Sequence, residues 1–304
     1  MAFDTIMVFQ DQLSKHILPD QIHILNVSFL VPEMRREFGG CAGNIAYSLK
    51  MLGGDPLIMA TVGEDAQPYL NRMQALGMKT DYVRTVPGTF TAQAFITTDQ
   101  ADNQITAFHP GAMMFSHQNN TGAVPQAKLA IIAPDGRDGM FAHARALDKA
   151  GIPFMFDPGQ ALPLFSSEDL LHFLSLARYC AVNDYEAQLV CERTSLTLPQ
   201  LAEKVEALVV TRGAKGAHIY TGGTCIDIAC VKADNVLDPT GCGDAYRGGL
   251  LYGMTQGYDW KTTGQLASVM GSLKIASKGG QNYHATPALV AQHYQRAFGQ
   301  TLCL

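Results

Sequence analysis

From residue 128 onward, short apolar runs alternate with amphipathic stretches, and this alternation limits the architecture more than any other feature of the chain. Leu129–Ala133, Phe154–Phe156, Tyr179–Val182 and Ala207–Thr211 are too short for helices and apolar throughout. Helical patterns near 138–150, 167–177 and 184–191 separate them. Buried strands joined through helices imply right-handed βαβ units and a parallel sheet covered on both faces. The first third reads differently. Strands are expected at 5–9, 22–31, 90–97 and 104–108, the last two as a hairpin across the turn-rich 99–103. They are expected to form a small antiparallel sheet attached to the α/β body. Between them, 43–53 predicts a helix with apolar residues at 45, 46, 49 and 52 and a stop at Gly53; a second helix is expected near 65–76.

Composition narrows the function classes. The chain has 304 residues, 47% of them hydrophobic, enough to bury a sizeable core. With 22 Lys and Arg against 27 Asp and Glu the net charge is −5, which disfavours a partner such as nucleic acid or an anionic membrane surface. No stretch of about 20 apolar residues is present, so no membrane span is expected. The first ten residues carry no positive charge, so no secretory leader is expected. The seven cysteines include no CxxC pair, and Cys225 and Cys230 lack further ligands for a metal. A reduced, cytoplasmic protein is expected.

Four motifs carry chemistry. The first is Asp238–Asp244, DPTGCGD, leading into a helix from Ala245 to about Met254. Glycines at a helix start expose main-chain amides at the positive end of the helix dipole, a site for an anion such as a transferring phosphate. Asp244 beside it can take a proton from an attacking hydroxyl, or can simply cap the helix. The second is Phe38–Asn44, FGGCAGN, where Gly39 and Gly40 make a flexible joint and Asn44 opens a helix. The third is Asn183–Glu186, just after a strand, at the sheet edge where α/β proteins bind ligands. These residues suit Mg²⁺ held through water, or an ordinary capping box. The fourth is Thr211–Gly216, TRGAKG, whose glycines admit a nucleotide or form a hairpin turn. Neither a Walker A sequence nor a Rossmann fingerprint is present, which disfavours a nicotinamide-dependent dehydrogenase.

In this order and spacing the motifs resemble the PfkB, or ribokinase-like, family of carbohydrate and nucleoside kinases, over nearly the whole chain. The resemblance implies a single kinase domain over 1–304: an α/β body with a mainly parallel sheet flanked by helices, and a small antiparallel β lid from segments near 5–35 and 88–110. Asp4, Gly40 and Asn44 match sugar-binding positions. Gly241, Cys242 and Gly243 match the anion hole, and Asp244 the base that deprotonates the acceptor hydroxyl. Asn183 and Glu186 match the Mg²⁺-linked pair. Thr211, Gly213 and Gly216 match the ATP loop, and Gln281 and Asn282 are placed near the nucleotide pocket. The resemblance implies ATP and Mg²⁺, admits a monovalent cation, and leaves room for a homodimer formed through the lid. Family members usually carry a complete core strand ahead of the position of Asp4. Here Met1 stands three residues before it, so a central strand is expected to be missing or supplied otherwise. Phe108–Met113, Asp157–Gln160 and Gly280–Tyr283 resemble bacterial adenosine-kinase-like members. The activity so implied is ATP-dependent phosphorylation of the 5′-hydroxyl of a purine nucleoside, with a sugar kinase of the same family as the alternative. Cys242, where Ala is more usual, is expected to have a lowered pKa at a helix start.

Overall fold

The computed structural model describes residues 1–17, 26–101, 103–120, 122, 124 and 126–304. Along the chain run β1 (Ala2–Val8), β2 (Glu33–Gly39), α1 (Cys41–Met51), β3 (Ala60–Val62) and α2 (Gln67–Ala75). Next come β4 (Val83–Thr85), β5 (Ala92–Thr98) and β6 (Gln104–His109). The alternating region gives β7 (Ala130–Ile132), α3 (Arg137–Lys149), β8 (Phe154–Phe156), α4 (Ser167–Leu176), β9 (Tyr179–Asn183) and α5 (Asp184–Thr194). It continues with α6 (Leu198–Ala202), β10 (Ala207–Thr211), β11 (Ala217–Thr221) and β12 (Thr224–Ile228). The chain closes with α7 (Cys242–Thr255), α8 (Trp260–Ile275) and α9 (Pro287–Phe298).

The larger sheet has the order β12-β11-β10-β9-β8-β7. Strands β7 to β10 are parallel, and β10, β11 and β12 form an antiparallel meander at the other edge. Its apolar runs divide alternately between two helical layers, as the two-residue repeat of a strand requires. Phe154, Phe156, Cys180, Val182, Leu208 and Val210 pack under α3 to α6. Met155, Ala181, Ala207 and Val209 pack on the other side with Leu250 of α7 and Ala267 of α8. Helix α7 sits very close to its neighbours. A Cβ at Gly248 would lie 2.5 Å from Ser48 Cβ of α1, and one at Gly249 would lie 2.6 Å from Ala267 Cα. These contacts fix where the first turn of α7 points.

The smaller sheet has the order β2-β1-β5-β6. Its outer pairings are antiparallel, but β1 and β5 run parallel, which corrects the expectation of a purely antiparallel sheet. The chain passes through α1, β3, α2 and β4 between them, long enough for a crossover connection. The strand expected at 22–31 is also corrected: residues 26–31 form no strand, 18–25 lie outside the described residues, and the pairing partner of β1 is 33–39. Residues β3 and β4 pair separately, in parallel. Among the described residues no helix is long and apolar enough to cross a membrane.

Candidate active site

The first turn of α7 organises the site. Gly241, its N-cap, has φ +77°, a left-handed conformation that favours glycine, and a Cβ there would come within 3.1 Å of Gly280 Cα. The amide of Cys242 donates to Pro239 O at 3.1 Å, closing the turn. The amides of Gly241, Gly243 and Asp244 take no partner among the described residues. The free donors at this helix start are therefore these three, and not the continuous set 241–243. Two side chains brace the loop before the helix. Asp238 accepts from the amides of Thr240 (2.9 Å) and Gly279 (2.8 Å). Burial opposes its ionisation, but those amides outweigh it and hold its pKa below the ordinary carboxylate value. Lys274 of α8 is buried, and its ammonium donates to the carbonyls of Asp238 (2.8 Å) and Ser277 (2.9 Å). Cys242 departs from expectation: burial, with the carboxylates of Asp238 and Asp244 nearby, pushes its thiol up to about 11 despite Lys274.

Asp244 is half-buried in the first turn of α7. Its Oδ2 accepts from Nδ2 of Asn44 at 2.8 Å, across 200 positions of sequence. The Cys41 thiol lies close enough to its carboxyl to favour the ionised form. Burial raises its pKa; the Asn44 bond and the nearby Arg247 oppose this, and Asp157 adds to it. Asp4 comes within electrostatic range from β1. Burial, then Asp244, Glu37 and Asp238, push its pKa from 3.8 up to about 6. Gly39 and Gly40 allow this approach. A Cβ on Gly39 would sit 2.3 Å from Asp4 Oδ2, and Gly40 has φ +80° against the backbone of Ala2. Asp4, Gly40, Asn44, Gly241, Cys242, Gly243 and Asp244 thus lie together.

The second group lies at the carboxyl ends of β9 and β10, where Asn183 and Thr211 are register partners. Asn183 caps α5: its Oδ1 accepts from Glu186 N (2.7 Å), and Glu186 Oε2 accepts from Asn183 N (2.8 Å). The capping box is real, and it leaves one oxygen of the Glu186 carboxylate unengaged by it. Burial raises the Glu186 pKa; its bond to Asn183 N opposes this, Asp157 adds to it, and Arg247 opposes it. Gly213 and Gly216 flank a single 3₁₀ turn with positive φ. Gly216 also has a purely structural reason to be glycine, since a Cβ there would meet Ile228 O at 2.0 Å.

Between the two groups lies an ion pair that the sequence motifs did not indicate. Arg247, one turn along α7 from Asp244, donates Nε to Asp157 Oδ2 at 3.0 Å, both side chains being buried. Its positive charge also acts on Glu186 and Asp244. The 281–282 segment divides differently from expectation. Asn282 spends both amide hydrogens on Glu37 of β2 (2.7 Å) and Lys278 O (3.1 Å). Gln281 is buried against Tyr69 and against Asn44, the partner of Asp244.

The sequence matches the pfkB family carbohydrate kinases over residues 4–287. A nucleoside kinase of Methanocaldococcus jannaschii is 32% identical over 258 residues, 84% of this chain and 85% of its own. The structure of Burkholderia thailandensis nucleoside kinase in complex with inosine is 54% identical, with a TM-score of 0.90, covering 99% of this chain and 96% of that one. Bacillus subtilis ribokinase is 25% identical over 252 residues, 80% of this chain and 83% of its own. With its two glycine motifs meeting at one carboxylate and its sequence matched almost end to end, the chain belongs to the pfkB family of carbohydrate kinases.

Proposed function

We propose that the protein transfers the terminal phosphoryl group of ATP to the 5′-hydroxyl of a purine nucleoside. One observation carries the reading: a desolvated carboxylate, Asp244, stands beside unpaired amides at the positive end of α7. Asp244 takes the hydroxyl proton, and its raised pKa makes it a stronger base than an exposed aspartate. The attacking oxygen forms its bond to phosphorus as the bond to the leaving ADP breaks. The amides of Gly241, Gly243 and Asp244 offset charge on the moving group. Asp4 and Asn44 hold the ribose hydroxyls, and Thr211, Gly213 and Gly216 border the ATP.

The 54% identical kinase was solved with inosine and, in a related structure, with ADP and inosine, which favours a nucleoside over a free sugar. The strand registers add support. Phe108 shares a sheet face with Asp4, Ile6, Ala94 and Ile96, so the face carrying Asp4 also carries a half-exposed ring on which a base can stack. Closure of this sheet as a lid excludes water, the competing acceptor.

Mg²⁺ fits the residues as an ion carried by the nucleotide. Among the described residues no three His, Cys, Asp or Glu form a metal cage. A single carboxylate with a spare oxygen, Glu186, matches an ion that keeps its waters and phosphate oxygens. When bound, it neutralises charge on the phosphates. Asn183 serves by fixing Glu186. The ammonium of Lys274 gives the Asp238 loop a tethered cation, so a monovalent ion is not required there. On the opposite face of the small sheet, Met34, Phe95 and Ile105 are exposed together, and two copies pair through them.

A coupled ADP-release assay across inosine, adenosine, guanosine, ribose and fructose tests the reading. A nucleoside is expected to exceed either sugar in kcat/KM by at least ~100-fold, because its base supplies binding energy that a sugar lacks. Equal or faster turnover of ribose or fructose would overturn it.

A further inference from the structure

Gln281 lies outside the four chemical motifs, yet it is 1% exposed and touches the residue that touches Asp244. Its Nε2 donates one hydrogen to Asn44 Oδ1 (3.0 Å) and the other to the hydroxyl oxygen of Tyr69 (2.5 Å). The Tyr69 hydroxyl donates in turn to Gly39 O at 2.7 Å. Gly39 ends β2, immediately before the positive-φ joint at Gly40. The Arg72 guanidinium donates to the main-chain carbonyl of Gln281, anchoring the backbone as well. Two glycines make room for the cluster. A Cβ at Gly43 would lie 2.0 Å from the Tyr69 hydroxyl, and one at Gly280 would lie 2.6 Å from Asn44 Oδ1.

The polarity of this chain is forced. The Gly39 carbonyl can only accept, so the Tyr69 proton is committed to it. The Tyr69 oxygen must then receive a donor, and that sets the Gln281 amide with Nε2 toward both partners. Asn44 must present Oδ1 to Gln281, which leaves Nδ2 facing Asp244. Gln281 Oε1 remains buried without a partner among the described residues, a cost of one unmet acceptor in return for this orientation.

We propose that Gln281 is a positioning residue: it orients the Asn44 amide, and thereby the Asp244 carboxylate, through a one-way hydrogen-bond chain anchored at the base of the small sheet. Displacement of Gly39 as the sheet closes is transmitted along the same chain to Asp244. This rests on the reading of Asp244 as the base, and the test separates the two.

Gln281→Glu keeps the shape and reverses the polarity. A carboxylate at 281 draws Nδ2 of Asn44 toward itself and turns Oδ1 onto Asp244. The expected result is a fall in kcat of at least ~10-fold, a KM for ATP within about 2-fold of the parent, and an acid limb of the kcat profile moved up by about one pH unit. Gln281→Met removes the donors without adding charge and should move both quantities the same way by less. It carries the test should the Glu variant fail to fold, as judged by thermal denaturation. Tyr69→Phe should resemble the Met variant. If Gln281→Met folds and keeps the parental kcat and acid limb while Asp244→Asn is inactive, the positioning role is overturned. If Asp244→Asn itself turns over normally, the base assignment falls instead.

Discussion

Asp4 offers a test of how far the site is strained by its own charges. Its carboxyl titrates at about 6 in the fold against an ordinary 3.8, chiefly through burial and then through Asp244, Glu37 and Asp238. Above both values the unfolded chain holds Asp4 ionised freely, whereas the fold must hold the same charge in a hostile place. The group therefore subtracts from stability at neutral pH, and the loss is relieved as pH falls through about 6 toward 3.8. A shift from 3.8 to about 6 corresponds to about 3 kcal/mol; with partial solvent contact the figure is about 2–3 kcal/mol. Asp4→Asn should thus raise the unfolding free energy by that amount at pH 7.5, and the gain should vanish near pH 4. Urea unfolding of both proteins across this range, followed by circular dichroism, measures the difference directly. Comparing the pair removes the opposite contribution of His143, whose pKa burial lowers and which therefore favours the fold less as pH falls. On the reading that Asp4 holds a ribose hydroxyl, the variant should at the same time bind nucleoside more weakly, since a neutral amide replaces the carboxylate acceptor. A gain that does not change with pH, or a variant less stable than the parent at pH 7.5, would refute the electrostatic account.

Asp157→Asn leaves the buried Arg247 guanidinium without its full counter-charge and should cost about 3–5 kcal/mol in urea unfolding; a loss under about 1 kcal/mol would mean that Glu186 and Asp244 already balance the charge. Lys274→Met removes the ammonium joining the Asp238 and Ser277 carbonyls, so turnover should drop sharply while the parent works equally well in Na⁺ and K⁺. A parent enzyme that needs K⁺ would remove the tethered-cation reading.

The alternating strands and helices of residues 130–211 were legible because each apolar run is short and bounded, and all but the last are followed by a helix. The small sheet was less so. Its edge strand β2 reads Glu-Met-Arg-Arg-Glu, a charged sequence that pairs because β1 offers it a complete register, while the more strand-like run before it forms none over 26–31. Helix α8 was missed for the opposite reason. It is buried nearly all round, polar residues such as Gln265, Ser268 and Lys274 included, so it shows no amphipathic stripe. In the site, glycine motifs and their acids were visible locally. Tyr69, Arg247 and Lys274 look like ordinary polar residues in sequence, the resemblance places Gln281 only near the nucleotide pocket, and long-range contacts show what each of them touches. Asn44 and Asp244 are 200 residues apart, and Gln281 and Asn44 are 237 apart.

What these distant residues share is charge imbalance. Asp4, Glu186 and Asp244 all have pKa values raised, first by burial, and each lies near at least one further carboxylate. Against them stand two buried side-chain cations, Arg247 already committed to Asp157 and Lys274 to main-chain carbonyls, and the Met1 amino group, whose own pKa burial lowers. The site thus carries an excess of poorly solvated negative charge where free amides and the Gly39–Gly40 joint also converge. On the reading proposed above, a nucleoside would bring hydroxyl donors to Asp4 and Asp244, and the divalent ion of a nucleotide would meet Glu186. Binding relieves in each case what folding alone left unfavourable. Nucleoside binding at pH 6 should accordingly release a proton, seen as a dependence of the calorimetric heat on buffer ionisation enthalpy, and the release should fade at pH 8, where Asp4 is already ionised.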